Sequence, residues 1–172
     1  EIIFSELSSL HCLSEKELVI LKAASILHDI GLRKGVKGHH KASMKMIINS
    51  SLRPFTEKEK IIVALVSRYH RKALPSKRHD HFSSLDSSDR NIVEILSSII
   101  RVADGLDRTH RNIIEKIVCE ISPETIEFFC SFGSDAHNEL EYGLRKSDLM
   151  QQVFGRKIDI KSVEVEKTSI AL

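Results

Sequence analysis

Residues 18–31 read LVILKAASILHDIG, and this stretch determines how the rest of the chain is interpreted. Ala24 and His28 lie four residues apart in the apolar run, so the imidazole is expected to point inward with the aliphatic side chains. Asp29 follows directly, and Gly31 is expected to end the helix in a left-handed conformation. The stretch therefore predicts an imidazole and a carboxylate side by side at a helix end, the core of a metal site. The alternative is a satisfied core histidine beside an exposed aspartate.

Helix-start signals occur before and after this segment. Ser14 with Glu17 forms a capping box that opens a helix reaching Asp29, and Thr56 with Glu59 opens a second helix that ends before Pro75. Residues 2–10 and 39–49 are expected to be helical, and residues 76–88 to form a loop. A long helix starts at Asp86 or Ser88, and its inward stripe makes it central to the core. That stripe comprises Ile92, Ile95, Leu96, Ile99, Ala103 and Leu106.

The pattern changes after Arg111. Residues 112–122 and 125–133 carry β-branched and aromatic residues around a Ser-Pro-Glu turn, which predicts a β-hairpin. Residues 135–154 are expected to be helical, and residues 157–167 alternate as a strand does. The expected fold is α+β, a mainly α-helical bundle with a small C-terminal antiparallel sheet. We expect one domain over residues 1–172, with a helical core at 1–111 and the hairpin, helix and final strand at 112–172.

Composition limits the class of protein. The chain has 172 residues, 41% of them hydrophobic, which suits one domain with a proper core. Its 3 cysteines have no short paired spacing, as expected for reduced thiols in the cytoplasm. No segment resembles a transmembrane helix or a secretory leader, so no membrane association is expected. The helical pattern starts at the first residue, which suggests a fragment of a longer chain.

Positive charge is concentrated in one part of the sequence. The net charge is +2, but residues 33–80 hold 13 Lys/Arg against 3 acidic residues, a local excess of +10. Such an excess predicts an anionic partner, and the small number of aromatic residues there favours phosphate over nucleic acid. The alternative is an ordinary solvated face rich in lysine.

Four separate segments of the sequence contain histidine or aspartate residues of the kind that bind metal ions. Asp104 lies one step off the apolar stripe of the long helix, where a carboxylate could reach inward if a cation accompanied it. Its alternative role is an intrahelical ion pair with Arg101 and Arg108, worth only ~0.3–0.5 kcal/mol. The segments are His28-Asp29, His39-His40, Tyr69-His70-Arg71, and Asp104 with Asp107-Arg108.

The ordered segments ILHDIG, GHH, RYHRKALP and RVADGLDR resemble the HD-domain superfamily of metal-dependent phosphohydrolases. More narrowly, residues 1–165 resemble the C-terminal HD-like domain of the exopolyphosphatase/guanosine pentaphosphate phosphatase (Ppx/GppA) family. The resemblance implies that His28, Asp29 and Asp104 bind a divalent metal such as Mg, Mn, Fe or Zn. Further candidate ligands are His39, His40 and His70. The superfamily also uses a histidine on an earlier helix, and His11 does not match that position.

In the Ppx/GppA family, hydrolysis is carried by an N-terminal actin-like domain, whereas the HD-like domain lengthens the polyanion channel and contributes to dimerisation. The resemblance therefore implies an accessory domain of a phosphatase acting on polyphosphate or a phosphorylated guanosine nucleotide, with a homodimer expected. Two alternatives stay open: a self-contained metal-dependent HD phosphohydrolase, and a non-enzymatic dimerisation module. No catalytic residue is assigned. The expected phosphate-binding residues are Lys34, Lys37, Arg68, Arg71, Lys72, Lys77 and Arg78.

Overall fold

The computed structural model describes residues 1–132 and 137–163 of a mainly helical α+β protein, which confirms the predicted fold class. A short 3₁₀ helix, Ile30–Lys34, lies between α3 and α4. The described helices are α1 Ile2–Glu6, α2 Ser8–His11, α3 Glu15–Leu27, α4 His39–Ile48, α5 Glu57–Tyr69, α6 Asp80–Ser83, α7 Ser87–Leu106, α8 His137–Arg145 and α9 Asp148–Phe154. The strands are β1 Ile114–Ile121, β2 Thr125–Phe132 and β3 Lys157–Ser162.

Local capping starts the longer helices where the sequence predicts. At α3, the backbone N–H of Ser14 donates to Glu17 Oε2 at 2.8 Å, and the Ser14 hydroxyl caps the first turn. At α5, the backbone N–H of Thr56 donates to Glu59 Oε2 at 2.8 Å in the same arrangement. Asp86 caps α7 by accepting from a backbone N–H of its first turn at 2.9 Å. Both predicted capping boxes are confirmed.

Helices α5 and α7 form the centre of the core. Helix α5 packs against α3, α4 and α7, and its residues 62–66 are each at most 2% exposed. A helix that is apolar on almost every side is expected to be surrounded in this way. The predicted stripe of α7 lies in this core, with Leu96 completely buried and Ile92 and Ala103 packed at its margin.

The sheet differs from the prediction in one strand direction. Strands β1 and β2 form the expected antiparallel hairpin, with Ile121 opposite Ile126. Strand β3 pairs parallel to β2, with Ile126 opposite Ile158, so the sheet is mixed and the antiparallel prediction is wrong for β3. The reason is the connection: helices α8 and α9 lie between β2 and β3, and a long helical crossover returns the chain in its original direction.

Several segments that the sequence predicts as one element are divided into shorter elements in the structure. The helix predicted at 2–10 is broken at Leu7 into α1 and α2, and the loop predicted at 76–88 contains the short helix α6. The helix predicted at 135–154 is two helices separated at Lys146 and Ser147 within the described residues. The start of that prediction and the end of the predicted final strand lie outside the described residues.

Two glycines determine how closely α8 approaches α7. A Cβ added to Gly105 of α7 would lie 2.7 Å from Gly143 Cα, and one added to Gly143 would lie 2.7 Å from Leu106 Cδ2. No side chain fits between the helices at this crossing. Gly143, which looks unfavourable inside a helix, therefore allows the C-terminal end of α8 to reach α7 beside Asp104.

The described chain contains no helix both long and apolar enough to cross a membrane. Its three cysteines are unpaired, and Cys119 and Cys130 lie in the hairpin. Burial raises the pKa of the Cys119 thiol to about 12 and that of Cys130 to about 11. Neither thiol is therefore an activated nucleophile at neutral pH.

Candidate metal centre

The turn that follows α3 presents His28 and Asp29 toward α4 and α5. Gly31 does not end α3 in a left-handed conformation; it lies inside the 3₁₀ helix, and the expectation of a left-handed cap is wrong. Its role is steric, since an added Cβ would lie 2.2 Å from His39 O and 2.6 Å from Ser43 N. The Ser43 hydroxyl fastens the turn by donating to His28 O at 2.5 Å and accepting from Gly31 N at 3.0 Å.

Three histidines at this place share one hydrogen-bonding arrangement. The Nδ1 atom of His28 lies 2.7 Å from Ser25 O, and that of His70 lies 2.7 Å from Ser67 O. His39 Nδ1 lies 2.9 Å from Val36 O. A backbone carbonyl can only accept, so each Nδ1 carries the proton, and in the neutral ring the lone pair is on Nε2. This is the tautomer that binds a metal through Nε2, with the opposite nitrogen held by an outer partner.

The Nε2 atoms of the three histidines converge on the Asp29 carboxylate. One ligand atom each from His28, Asp29 and His70 lies within 4.8 Å of the others. His39 Nε2 is 3.0 Å and His70 Nε2 is 3.7 Å from Asp29 Oδ1, and His28 Nε2 is 3.5 Å from Asp29 Oδ2. Asp104 completes the cluster from α7, with its Oδ1 atom 3.8 Å from His28 Nε2. The cluster defined by these five residues is called the metal-ligand cluster below.

Two of its atoms are buried without hydrogen bonds. Within the part of the chain that the structure describes, His28 Nε2 and Asp29 Oδ1 have no hydrogen-bond partner of acceptable geometry. Such groups are costly to bury, and a cation at this point would satisfy both. His11 provides the contrast, because its Nε2 lies 2.8 Å from Phe4 O and its Nδ1 accepts from Leu13 N at 2.9 Å. His11 is a satisfied core histidine and lies apart from the cluster, as expected.

Electrostatics favour the neutral imidazole at His70. Burial lowers the pKa of His70 to about 4, with the neighbouring His28 ring adding to the effect. Its Nε2 atom faces His39 Nε2 at 3.4 Å. Two imidazole lone pairs that face each other repel, and a bound cation would convert that repulsion into attraction. The arrangement of the donors therefore fits a divalent cation, and His70 is in the neutral form that can bind one.

His40 is adjacent to the cluster and does not point an identified ligand atom into it. Its ring lies edge-on to His70, with the ring centroids 6.5 Å apart. Burial and the charges of His39 and Arg71 lower the pKa of His40 to about 4, so this imidazole is also neutral near pH 7.

Asp104 is paired with a residue far away in the sequence. The Lys146 ammonium, at the end of α8, contacts Asp104 Oδ2. Burial disfavours the charged carboxylate, but the Lys146 charge outweighs burial and holds the pKa of Asp104 below its ordinary value of 3.8. The intrahelical alternative is wrong, because neither arginine pairs with Asp104. Arg101 makes a bidentate contact with Asp148 at 3.0–3.1 Å, and the Arg108 guanidinium lies over the Tyr142 ring. Arg101 Nη1 also donates to Tyr69 O at 3.0 Å, next to His70.

A cavity of about 310 Å³ opens over the metal-ligand cluster. Asp29, His39, His70 and Asp104 line it together with several cationic residues. These residues are Arg71, Lys72, Arg101, Arg108 and Lys146, with His110 and Tyr142 beside them. The Arg108 guanidinium lies over the Tyr142 ring, 5.3 Å from its centroid. Five lysine and arginine side chains against two carboxylates give this lining an excess of positive charge, which favours a compact anion.

The structure brings together only part of the predicted phosphate-binding set. Arg71 and Lys72 line the cavity, and Arg71 Nη1 lies 3.4 Å from His39 Nε2. Arg68 is half-buried against Met44 and the Tyr69 ring. The other predicted residues, Lys34, Lys37, Lys77 and Arg78, are exposed and do not line this cavity. Phosphate binding by all seven residues stays a prediction.

Sequence reasoning missed the contribution of α8 to the site. Tyr142 and Lys146 have no motif around them, and Arg108 belongs to the Asp104 segment but is not among the predicted phosphate-binding residues. The one available signal was Gly143, because a glycine within a helix often marks a close approach. It does not reveal which helix comes close.

The amino-acid sequence was also compared with protein families. The family model described as Ppx/GppA phosphatase, domain III, matches residues 3–153, which include the whole metal-ligand cluster and the residues that line the cavity. The chain belongs to the Ppx/GppA phosphatase family. It is a phosphatase-related domain, and its match to a third domain implies a protein with other domains.

Proposed function

We propose that this domain binds a divalent metal ion in the metal-ligand cluster and a phosphate group in the adjoining cavity, as a metal-dependent phosphohydrolase. The observation that carries the proposal is the convergence of three Nε2 lone pairs on Asp29, with His28 Nε2 and Asp29 Oδ1 buried and unsatisfied among the described residues. His28, Asp29, His70 and Asp104 would hold the ion, and His39 is positioned beside them.

The donor chemistry narrows the choice of metal. Imidazole nitrogens favour Fe and Zn, and carboxylates favour Mg and Mn. A cluster that mixes several imidazoles with two carboxylates suits Mn²⁺, Fe²⁺ or Zn²⁺ better than Mg²⁺. When bound, such an ion polarises a phosphoryl oxygen and lowers the pKa of a coordinated water. Arg71 and Arg108, which line the same cavity, would orient the phosphate through charge-assisted hydrogen bonds.

The first experiment is a calorimetric titration of the metal-free chain with Mn²⁺. Wild type is expected to bind one ion, and Asp29→Asn and His28→Gln to weaken the affinity by at least about 100-fold, because each removes a ligand. His81→Gln is the matched control, since His81 is exposed on α6. Equal Mn²⁺ affinities in wild type and Asp29→Asn would reject the site.

Catalysis is tested separately by phosphate release from pyrophosphate and tripolyphosphate. The Mn²⁺-loaded wild type is expected to release phosphate, and loaded His81→Gln to match it. Loaded wild type without turnover would reject hydrolysis by this domain and leave metal and phosphate binding as its function.

A second candidate function is the accessory role implied by the family resemblance, in which the domain as one unit binds polyphosphate for an N-terminal actin-like catalytic domain and assembles as a homodimer. The cationic residues of the cavity lining favour it, particularly Arg71 and Lys72. Polyphosphate affinity would then be high in the absence of metal and fall steeply with added salt. An affinity that requires Mn²⁺ would favour the first proposal instead, and light scattering of the chain tests the homodimer.

A further inference from the structure

Lys146 occupies an unusual position between the metal-ligand cluster and the cavity. Its ammonium contacts Asp104 Oδ2, while Asp104 Oδ1 lies 3.8 Å from His28 Nε2. Among the ion pairs of residues 1–132 and 137–163, Lys146 is the one lysine or arginine that contacts either Asp29 or Asp104. The same side chain lines the cavity together with Arg71 and Arg108.

The fold holds the backbone of Lys146 and leaves its side chain able to turn. The crossing of Gly105 with Gly143 brings the end of α8 against α7, and Lys146 N donates to Tyr142 O at 3.1 Å. The lysine side chain beyond this point is 22% exposed, at the edge of the cavity. A flexible four-carbon stem can therefore move the ammonium between Asp104 and the cavity without moving the helix.

Charge balance connects the two positions of the Lys146 ammonium, one at Asp104 and one in the cavity. A carboxylate as buried as Asp104 needs a cation, and Lys146 provides one. A divalent cation bound by Asp104 would supply that charge in its place and would repel the nearby ammonium. An anion in the cavity would then be the best available partner for Lys146.

We propose that Lys146 couples metal binding to phosphate binding. In the metal-free domain it neutralises Asp104, and in the metal-loaded domain its ammonium turns to an oxygen of a phosphate in the cavity. This inference rests on the proposed function, and it adds an order of binding in which the metal precedes the phosphate. Lys146 is thereby a phosphate-contact residue that competes with the metal for Asp104.

The test measures Mn²⁺ affinity, and inorganic phosphate affinity with and without saturating Mn²⁺, by calorimetry. Lys146→Met is expected to bind Mn²⁺ about tenfold more tightly, because the competing ammonium is gone. Phosphate affinity of the Mn²⁺-loaded variant is expected to fall about tenfold, the value of one charge-assisted hydrogen bond. Lys116→Met, the same charge change on exposed β1, is the matched control and should resemble wild type.

Asp104→Asn gives a second test in the absence of metal. It removes the charge that holds Lys146, so the metal-free variant is expected to bind phosphate about tenfold more tightly than metal-free wild type. The double variant Asp104→Asn/Lys146→Met should lose this gain. Asparagine keeps the size of the aspartate side chain. The comparison of metal-free Asp104→Asn with metal-free wild type therefore remains informative if Lys146→Met does not fold.

Different results would reject the proposed metal site and the proposed coupling by Lys146. A wild type that binds no Mn²⁺ rejects the proposed metal site, and the Asp104→Asn comparison then still decides whether Lys146 contacts phosphate. Weaker Mn²⁺ binding by Lys146→Met would show that Lys146 supports Asp104 as a ligand and would overturn the coupling. Unchanged phosphate affinity in Mn²⁺-loaded Lys146→Met, or in metal-free Asp104→Asn, would also overturn it.

Discussion

Helix α7 borders two cavities of similar volume and opposite chemistry. One, of about 340 Å³, is lined mainly by aliphatic side chains, and the other, of about 310 Å³, lies over the metal-ligand cluster. Neighbouring residues of α7 face different cavities: Ile100 and Ala103 line the apolar one, and Arg101 and Asp104 line the polar one. Successive residues of a helix are about 100° apart, so one helix can separate the two environments. Volume alone therefore does not distinguish the two cavities, whereas the donor atoms in their linings do.

The largest expected effect comes from adding one methyl group at the crossing of α7 and α8. Gly105→Ala places a Cβ 2.7 Å from Gly143 Cα, so α8 must move away. We expect the free energy of unfolding in urea to fall by about 3 kcal/mol. Ala103→Leu is the comparison, because it enlarges a side chain on the same helix toward the empty space of the apolar cavity. Its expected change is under about 1 kcal/mol, and equal losses in both variants would contradict the predicted role of the glycine crossing.

Thermal unfolding with and without Mn²⁺ should show which of the two cavities binds the metal. Mn²⁺ at about 100 times its dissociation constant is expected to stabilise the wild type by about 2.7 kcal/mol, because the folded state alone holds the assembled ligands. Asp29→Asn should lose this stabilisation. Asp107→Asn changes a carboxylate that lines the apolar cavity and should keep it. Equal stabilisation of both variants would show that the ion binds elsewhere.

Arg101 is expected to hold one wall of the polar cavity. It is 5% exposed and joins α7 to Asp148 of α9 and to Tyr69 O of α5. Arg101→Met should lower the free energy of unfolding by about 2 kcal/mol, less than for a fully buried pair because Asp148 is half-exposed. Arg145→Met, an exposed site on α8, should change it by under about 0.5 kcal/mol. Chemical denaturation measures both, and similar losses would contradict the role given to Arg101.

The stability of the metal-free protein should also depend on pH, through His40 and His70 beside the polar cavity. The pKa values of His40 and His70 fall from an ordinary 6.5 to about 4, so the unfolded chain binds more protons between these values. The metal-free protein is therefore expected to lose stability as the pH falls from 6.5 toward 4. Each histidine contributes a slope of about 1.4 kcal/mol per pH unit. His40→Gln should remove one such contribution, as measured by urea unfolding at pH values between 4 and 6.5.

Sequence reasoning was most successful where a pattern is local. The capping boxes at Ser14 and Thr56 place the starts of α3 and α5, because a cap satisfies backbone groups within three residues of itself. The apolar stripe of α7 identifies a core helix for a similar reason, since its period is that of the helix. The segments that carry the family resemblance also contain all five residues of the metal-ligand cluster.

Sequence reasoning failed where the outcome depends on contacts between distant residues. The alternating pattern at β3 predicts a strand but contains nothing that distinguishes parallel from antiparallel pairing, which the α8–α9 crossover decides. Asp104 has two arginines at helical spacing, yet its partner is Lys146, since Gly105 and Gly143 allow α8 to bring that ammonium to it.

The sequence by itself determined the helical class, the starts of the main helices, the family and the identity of the chemical groups, because each depends on neighbours along the chain. Only the tertiary structure decided that His28, His39 and His70 aim Nε2 at Asp29, and that Tyr142 of α8 and the following Lys146 line the cavity beside them. The physical reason is that a site is formed by side chains from separate elements. Their distances are determined by how closely those elements pack, at contacts such as Gly31 with α4 and Gly105 with Gly143.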